Sequence, residues 1–276
     1  MHEIEKLNGA DAHAFHKKYY RPDNALLVVS GDITLDELLP LAEKTYGSIK
    51  PQGEIVKKEW PVVPPIPGQS SFTLYDASVH QPQYMRVYRA PSFSQDKTTS
   101  LSLQILENIL AGGSATRFYQ SLVKEQKVAV GASFYYSGNN RSDSSLWISA
   151  TPSETTTIKT LETAIDKEIQ KVLVHGITDQ EFEEAKLRMK DQAVFARDSV
   201  TGPAMIVGRM IATGASVDDI EYWPHDIDSI SKEQVINAAR RIFGPGAEQS
   251  HVTAYIYPEI YRDNAQPQEP ATKEHK

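Results

Sequence analysis

The sequence predicts an α+β fold in which one complete unit is preceded by the closing part of a related one, and three observations carry this expectation. Runs that alternate apolar with polar residues recur beside longer segments whose apolar residues fall at helical spacing. A proline-rich stretch at 50–69 interrupts both patterns. The opening segment HEIEKLNGADAHAFHKKYYRP, residues 2–22, returns without a gap as HDIDSISKEQVINAARRIFGP, residues 225–245. In that match His2, Ile4 and Pro22 meet identical residues, Glu3 and Glu5 meet Asp226 and Asp228, Lys17 and Lys18 meet Arg240 and Arg241, and Tyr20 meets Phe243. The shared order of acidic pair, basic pair, aromatic and proline marks a repeated structural unit.

Along the chain, the first copy reads as a helix with Asn8 near its cap. The apolar, β-prone run Asn24 to Ser30 reads as a strand, Gly31-Asp32 as a turn, and Thr34 with Glu37 as a capping box opening a helix to about Tyr46, which Gly47 ends. Pro40 is expected to kink that helix or shift its start. Residues 50–69, with Pro51, Pro61, Pro64, Pro65 and Pro67, have the composition of an extended linker and mark a domain boundary.

From Ser71 the pattern restarts. SFTLYDA and QYMRVYRA read as strands, and a helix from about Gln95 to Ala111 carries Leu101, Ile105, Ile109 and Leu103, Leu106, Leu110 on its apolar side. Gly112-Gly113 ends it, a short helix follows over Arg117 to Glu125, and VAVGASFYYS and SLWISATP read as an antiparallel pair joined by the polar loop GNNRSD. Ile158, Leu161, Ile165, Ile169 and Val172 form one helical stripe; Gly176 stops that helix, and Thr178 with Glu181 caps the next, to about Arg197. Further helices are expected near 203–213, 217–222 and 232–243, the last with Ser231 near its cap, before the strand HVTAYIY. The expected organisation is therefore 1–49 as the end of a first domain, 50–69 as linker, 70–262 as a complete second domain and 263–276 as a frayed tail.

Composition narrows the chemistry. At 276 residues and 40% hydrophobic the chain can bury a sizeable core, and a net charge of -7, with no basic cluster larger than a pair, argues against nucleic acid as a partner. With no Cys, thiolate metal sites, disulfides and cysteine nucleophiles are excluded. No apolar run approaches the length of a bilayer span. His13 and His16, at i, i+3 on a helix, could present two imidazoles to a divalent metal, which a zinc-binding domain would use. The structural reading is stronger, because Lys17 and Lys18 adjoin them and the sister segment has Ile236 and Ala239 there. His2, His80, His175, His225 and His251 are scattered. No H-x-x-E-H, H-E-x-x-H, G-x-S-x-G, Walker or dinucleotide-binding glycine pattern occurs, and Gly112-Gly113 reads as a helix terminator rather than a phosphate cradle.

FHKKYYRPDNALLVVSGDI with its following capped helix resembles the end of the first domain of the M16 (pitrilysin and insulinase) zinc peptidases. ILENILAGGSATRFYQSLVKEQKVAVGASFYY resembles the middle of their second domain. The resemblance implies domains built as a mostly antiparallel sheet covered by helices, a peptide chamber between paired halves, and peptide or protein substrates. It also implies a homologous partner subunit. Zinc in that family is held by two histidines of an inverted zincin motif and a distal glutamate in the first domain; this chain carries none of these, so zinc is expected in the full-length parent and no cofactor in this chain. Many members also place an arginine and, seven residues on, a tyrosine against the substrate; the matching positions here are Val123 and Val130, which offer no side-chain donor. Arg117 remains the one weak candidate for substrate binding, read first as structural. The resemblance thus implies the C-terminal, non-hydrolytic region of a metalloendopeptidase subunit that forms chamber wall and subunit interface. The alternative is a non-catalytic subunit that binds peptides or organises assembly. A periplasmic location is compatible with it.

Overall fold

A computed structural model describes residues 4–51, 53, 64, 68–244 and 250–262. Most of the expected linker, the expected tail, and His2, Glu3 and Pro245 of the repeat lie outside the described residues. The chain forms two compact units, one of residues 1–62 and 193–220, the other of 63–192 and 221–276.

In the first unit a 3-10 turn at Ile4–Lys6 leads into α1 (Gly9–Tyr19), whose start is set by a reciprocal cap: the Asn8 side chain accepts from the backbone of Ala10 and Asp11, and the Asp11 carboxylate accepts from Asn8. The expected strand at 24–30 is not formed. A 3-10 turn occupies Pro22–Asn24, and residues 25–30 find no ladder partner among the described residues, so their β propensity is left without the pairing that makes a strand. These residues run close to α6 (below), since a β-carbon on Gly208 would meet the Val28 side chain at 3.8 Å. α2 (Leu35–Thr45) begins as expected at Thr34, whose hydroxyl and amide are engaged by Glu37, and it contains Pro40.

The second unit is a five-stranded sheet in the order β1-β5-β2-β4-β3. β1 (Gln69–Asp76) and β2 (Gln83–Ala90) are followed by α3 (Lys97–Ala111), capped by Asp96. The segment expected as a short α-helix is a π-helix over Tyr119–Glu125; a π turn inserts one extra residue and commonly accompanies a functional or aiming irregularity. β3 (Ala129–Tyr136) and β4 (Ser144–Pro152) pair antiparallel as expected. α4 (Ile158–His175) stops at Gly176, whose φ of 73° suits glycine, and Thr178 caps α5 (Asp179–Arg197). α6 (Gly202–Ala212) and α7 (Val217–Glu221) precede α8 (Trp223–Ser229), a helix the pattern did not announce. α9 (Lys232–Phe243) and β5 (His251–Pro258) close the fold. β5 lies between β1, to which it is parallel, and β2, to which it is antiparallel.

The core forms where α3, α4 and α9 cover one face of this sheet. All five residues of the expected α4 stripe are buried, as are Leu101, Leu103, Leu106 and Leu110 of α3 and Val235, Ala239 and Ile242 of α9. Each fully buried aliphatic side chain contributes about 1.5–3 kcal/mol of transfer free energy.

Candidate functional site

Two features of the second unit bear on function: the segment from Gly112 to Tyr136, and the sheet face opposite the helices. In the segment, Gly113 adopts a φ of 148°, and Thr116 donates to its carbonyl before the chain enters the π-helix. Arg117 makes its hydrogen bonds within the fold. Its Nε donates to Glu181 Oε1 at 2.5 Å, and its Nη2 to Glu181 Oε2 at 2.8 Å and the Gly176 carbonyl at 3.0 Å. Glu181 also accepts from the amide and hydroxyl of Thr178, so one carboxylate both caps α5 and ties the α4–α5 turn to the π-helix entrance. The Arg117 hydrogen bond holds Glu181 well below the usual carboxylate range, at about 2. A cavity of about 410 Å³ lined by Arg117, Glu168, Lys171, His175 and Glu181 lies beside this clamp.

Val123 is half-buried within the π-helix, and Val130, 60% exposed, sits where the β3 register shifts between Ala129 and Gly131. Between them Lys127 takes a φ of 54°, unusual for a residue with a β-carbon. The backbone thus keeps two devices that commonly re-aim side chains, a π turn and a bulge, and presents valines on them.

The register places Val252, Val87, Trp147 and Tyr135 in one row across β5, β2, β4 and β3, on the face away from Arg86 and Tyr88. Phe72 and Leu74 of β1 share that face and, with Val252, Trp147 and Tyr135, are exposed. On the covered face a buried Arg86 donates to Thr253 at 3.2 Å, Asp166 at 2.6 Å and Glu162 at 2.8 Å, fastening β2 and β5 to α4. The sequence reading missed this network and the half-buried Glu107 of α3. Glu107 could have been found, since it lies at helical spacing between Leu103 and Leu110 on a stripe that is otherwise apolar.

His13 and His16 stand exposed on α1, and among the described residues no three His, Asp or Glu side chains are grouped to hold a metal. The described residues therefore do not fit a zinc centre. Among the described residues no helix is long and apolar enough to cross a membrane.

Sheet and helical cover together define an α+β domain with a mostly antiparallel five-stranded sheet. The chain belongs to the peptidase M16 inactive-domain family, whose model matches residues 6–189. It is 22% identical over 245 residues to an uncharacterized zinc protease of Mycobacterium leprae, covering 88% of this chain and 54% of that protein. Its fold is similar to a protease from Helicobacter pylori (TM-score 0.81, 19% identity, 94% of this chain and 61% of that one). It is also similar to a putative M16-like peptidase from Alicyclobacillus acidocaldarius (TM-score 0.77, 18% identity, 92% and 59%). The chain spans about half the length of the curated relatives it matches.

Proposed function

We propose that this chain is the C-terminal, non-zinc-binding region of an M16 metalloendopeptidase subunit. Its open sheet face walls a peptide chamber, it meets a homologous subunit, and it does not itself hydrolyse peptides. The carrying observation is the one-sided sheet: helices cover one face, while Phe72, Leu74, Val252, Trp147 and Tyr135 are exposed on the other. An apolar face of this extent on an otherwise acidic chain suits contact with an extended polypeptide. The matched caps of α1 and α9 support reading residues 1–49 as the closing part of a first, homologous domain, with 70–262 as the second and 50–69 as the joint between them. Zinc, in this reading, is supplied by the parent's first domain, and the relatives' description as zinc proteases supports it.

The test mixes the chain with a homologous zinc-bearing subunit and follows cleavage of an unstructured peptide. The expected result is no zinc-dependent cleavage by the chain alone and chelator-sensitive cleavage by the pair; chelator-sensitive hydrolysis by the chain alone would overturn the proposal. Val123 and Val130 favour a second reading, a peptide-holding or assembly subunit, for which the pair would bind peptide without cleaving it.

A further inference from the structure

The sheet ends at β3, and that edge is treated differently from the other one. At the β1 edge, Arg262 donates to the Tyr75 carbonyl at 3.3 Å. At the β3 edge a carboxylate intervenes. The Ser137 amide donates to the Ser145 carbonyl, toward β4, whereas the Tyr136 amide donates away from β4 to Glu107 Oε2 at 3.3 Å. Antiparallel alternation then turns the backbone groups of Ala132 and Phe134 outward as well. The bulge at Ala129–Gly131 takes the start of the strand out of register, so the pairable edge is the stretch Ala132, Phe134, Tyr136.

An incoming strand must place a carbonyl where the Glu107 carboxylate now sits. It would also wall off from water a charge that is already half-buried. Inward-placed charges of this kind are a known means of keeping sheet edges from joining. The outward-facing stretch is self-complementary: about a two-fold axis at Phe134, the large Tyr136 of one strand falls opposite the small Ala132 of the other. We propose that Glu107 guards this edge, and that when its charge is removed two copies of the chain pair antiparallel through β3, with Tyr136 of one copy opposite Ala132 of the other.

Burial lifts the Glu107 carboxyl to about 7, against the opposing pull of the Tyr136 amide, so the guard loses its charge as pH falls through neutrality. The other titratable groups on neighbouring elements make bonds of their own, although the buried Nε of Arg188 has no partner among the described residues. The Tyr136 phenol of β3 bonds the Pro91 carbonyl, Asp96 before α3 bonds Thr99 and Arg241, and Arg188 of α5 donates to the Asn108 carbonyl.

Sedimentation velocity of the full chain tests the proposal. The wild type is expected to be monomeric at pH 8 and to shift toward dimer at pH 6, while Glu107→Gln is dimeric at both at the same concentration. Ala132→Pro, which removes an outward amide without touching the β4 ladder, should return Glu107→Gln to monomer. A folded Glu107→Gln that stays monomeric at pH 8, or a dimer that survives Ala132→Pro, would overturn it. Should Glu107→Gln fail to fold, the wild type and Ala132→Pro at pH 6 decide: a wild type that stays monomeric, or equal masses in the two, would overturn it too.

Discussion

α1 and α9 are two versions of one segment, and they differ in what surrounds them rather than in how they begin. Both start at matched positions of the repeat with a reciprocal cap, Asn8 with Asp11 and Ser231 with Gln234. α9 then buries Val235, Ala238, Ala239, Ile242 and Phe243 under the sheet, whereas α1 buries nothing and leaves Phe15 52% exposed. The contrast extends to the units: among the described residues of 1–62 and 193–220, Met210 alone is buried. Capping is a local property, set by two side chains within one turn; burial needs tertiary partners. Among the described residues the recurring segment is a capped helix at both places and is buried at one of them.

Substitutions that withdraw tertiary partners should break this contrast most visibly. Ile242→Ala, at a position 1% exposed, is expected to cost about 2–5 kcal/mol, while Phe15→Ala should stay within about 0.5 kcal/mol, both read by chemical denaturation. Arg117→Ala should cost about 1–3 kcal/mol at neutral pH by releasing Glu181 and the Gly176 carbonyl. The folded Glu181 sits near 2, below its unfolded value, so its contribution is present above about pH 4.5 and is lost as pH falls toward 2. Arg117→Ala should therefore flatten the acid limb of the stability profile.

Glu107 has the opposite sign. Its folded carboxyl sits near 7, above its unfolded value, so the wild type loses stability as pH rises from about 4.5 to 7. Glu107→Gln should be the more stable protein by about 1–2 kcal/mol at pH 8, an advantage that vanishes below about pH 4.5. The caps should have modest effects. Asn8→Ala and Ser231→Ala should each weaken their helix by about 1 kcal/mol. The second should lower the midpoint of global unfolding, and the first should raise amide exchange in α1 alone.

Much of the fold was legible because its signals were local. The α4 stripe, the Thr34 and Thr178 caps and the β3–β4 pairing each lie within one helix, one turn or one hairpin. What was not legible depended on distant partners. Residues 25–30 carry strand composition but find no ladder partner among the described residues, and the insertion of β5 between β1 and β2 joins residues far apart in sequence. The π-helix has no compositional signature at all. In the site, the valines at 123 and 130 could be placed from resemblance, while their setting on a π turn and a bulge could not. Arg86 stands in a strand whose two faces carry similar mixtures, Tyr84, Arg86 and Tyr88 against Met85, Val87 and Arg89, so alternation did not point it inward.

Native-state hydrogen exchange of α1 and α9 measured in one sample bears most directly on the contrast between a helix packed under the sheet and its repeat, which is exposed among the described residues. The account predicts that α9 amides exchange only through global unfolding and that α1 amides exchange through local opening at much lower free energy. Equal protection of the two helices would contradict it.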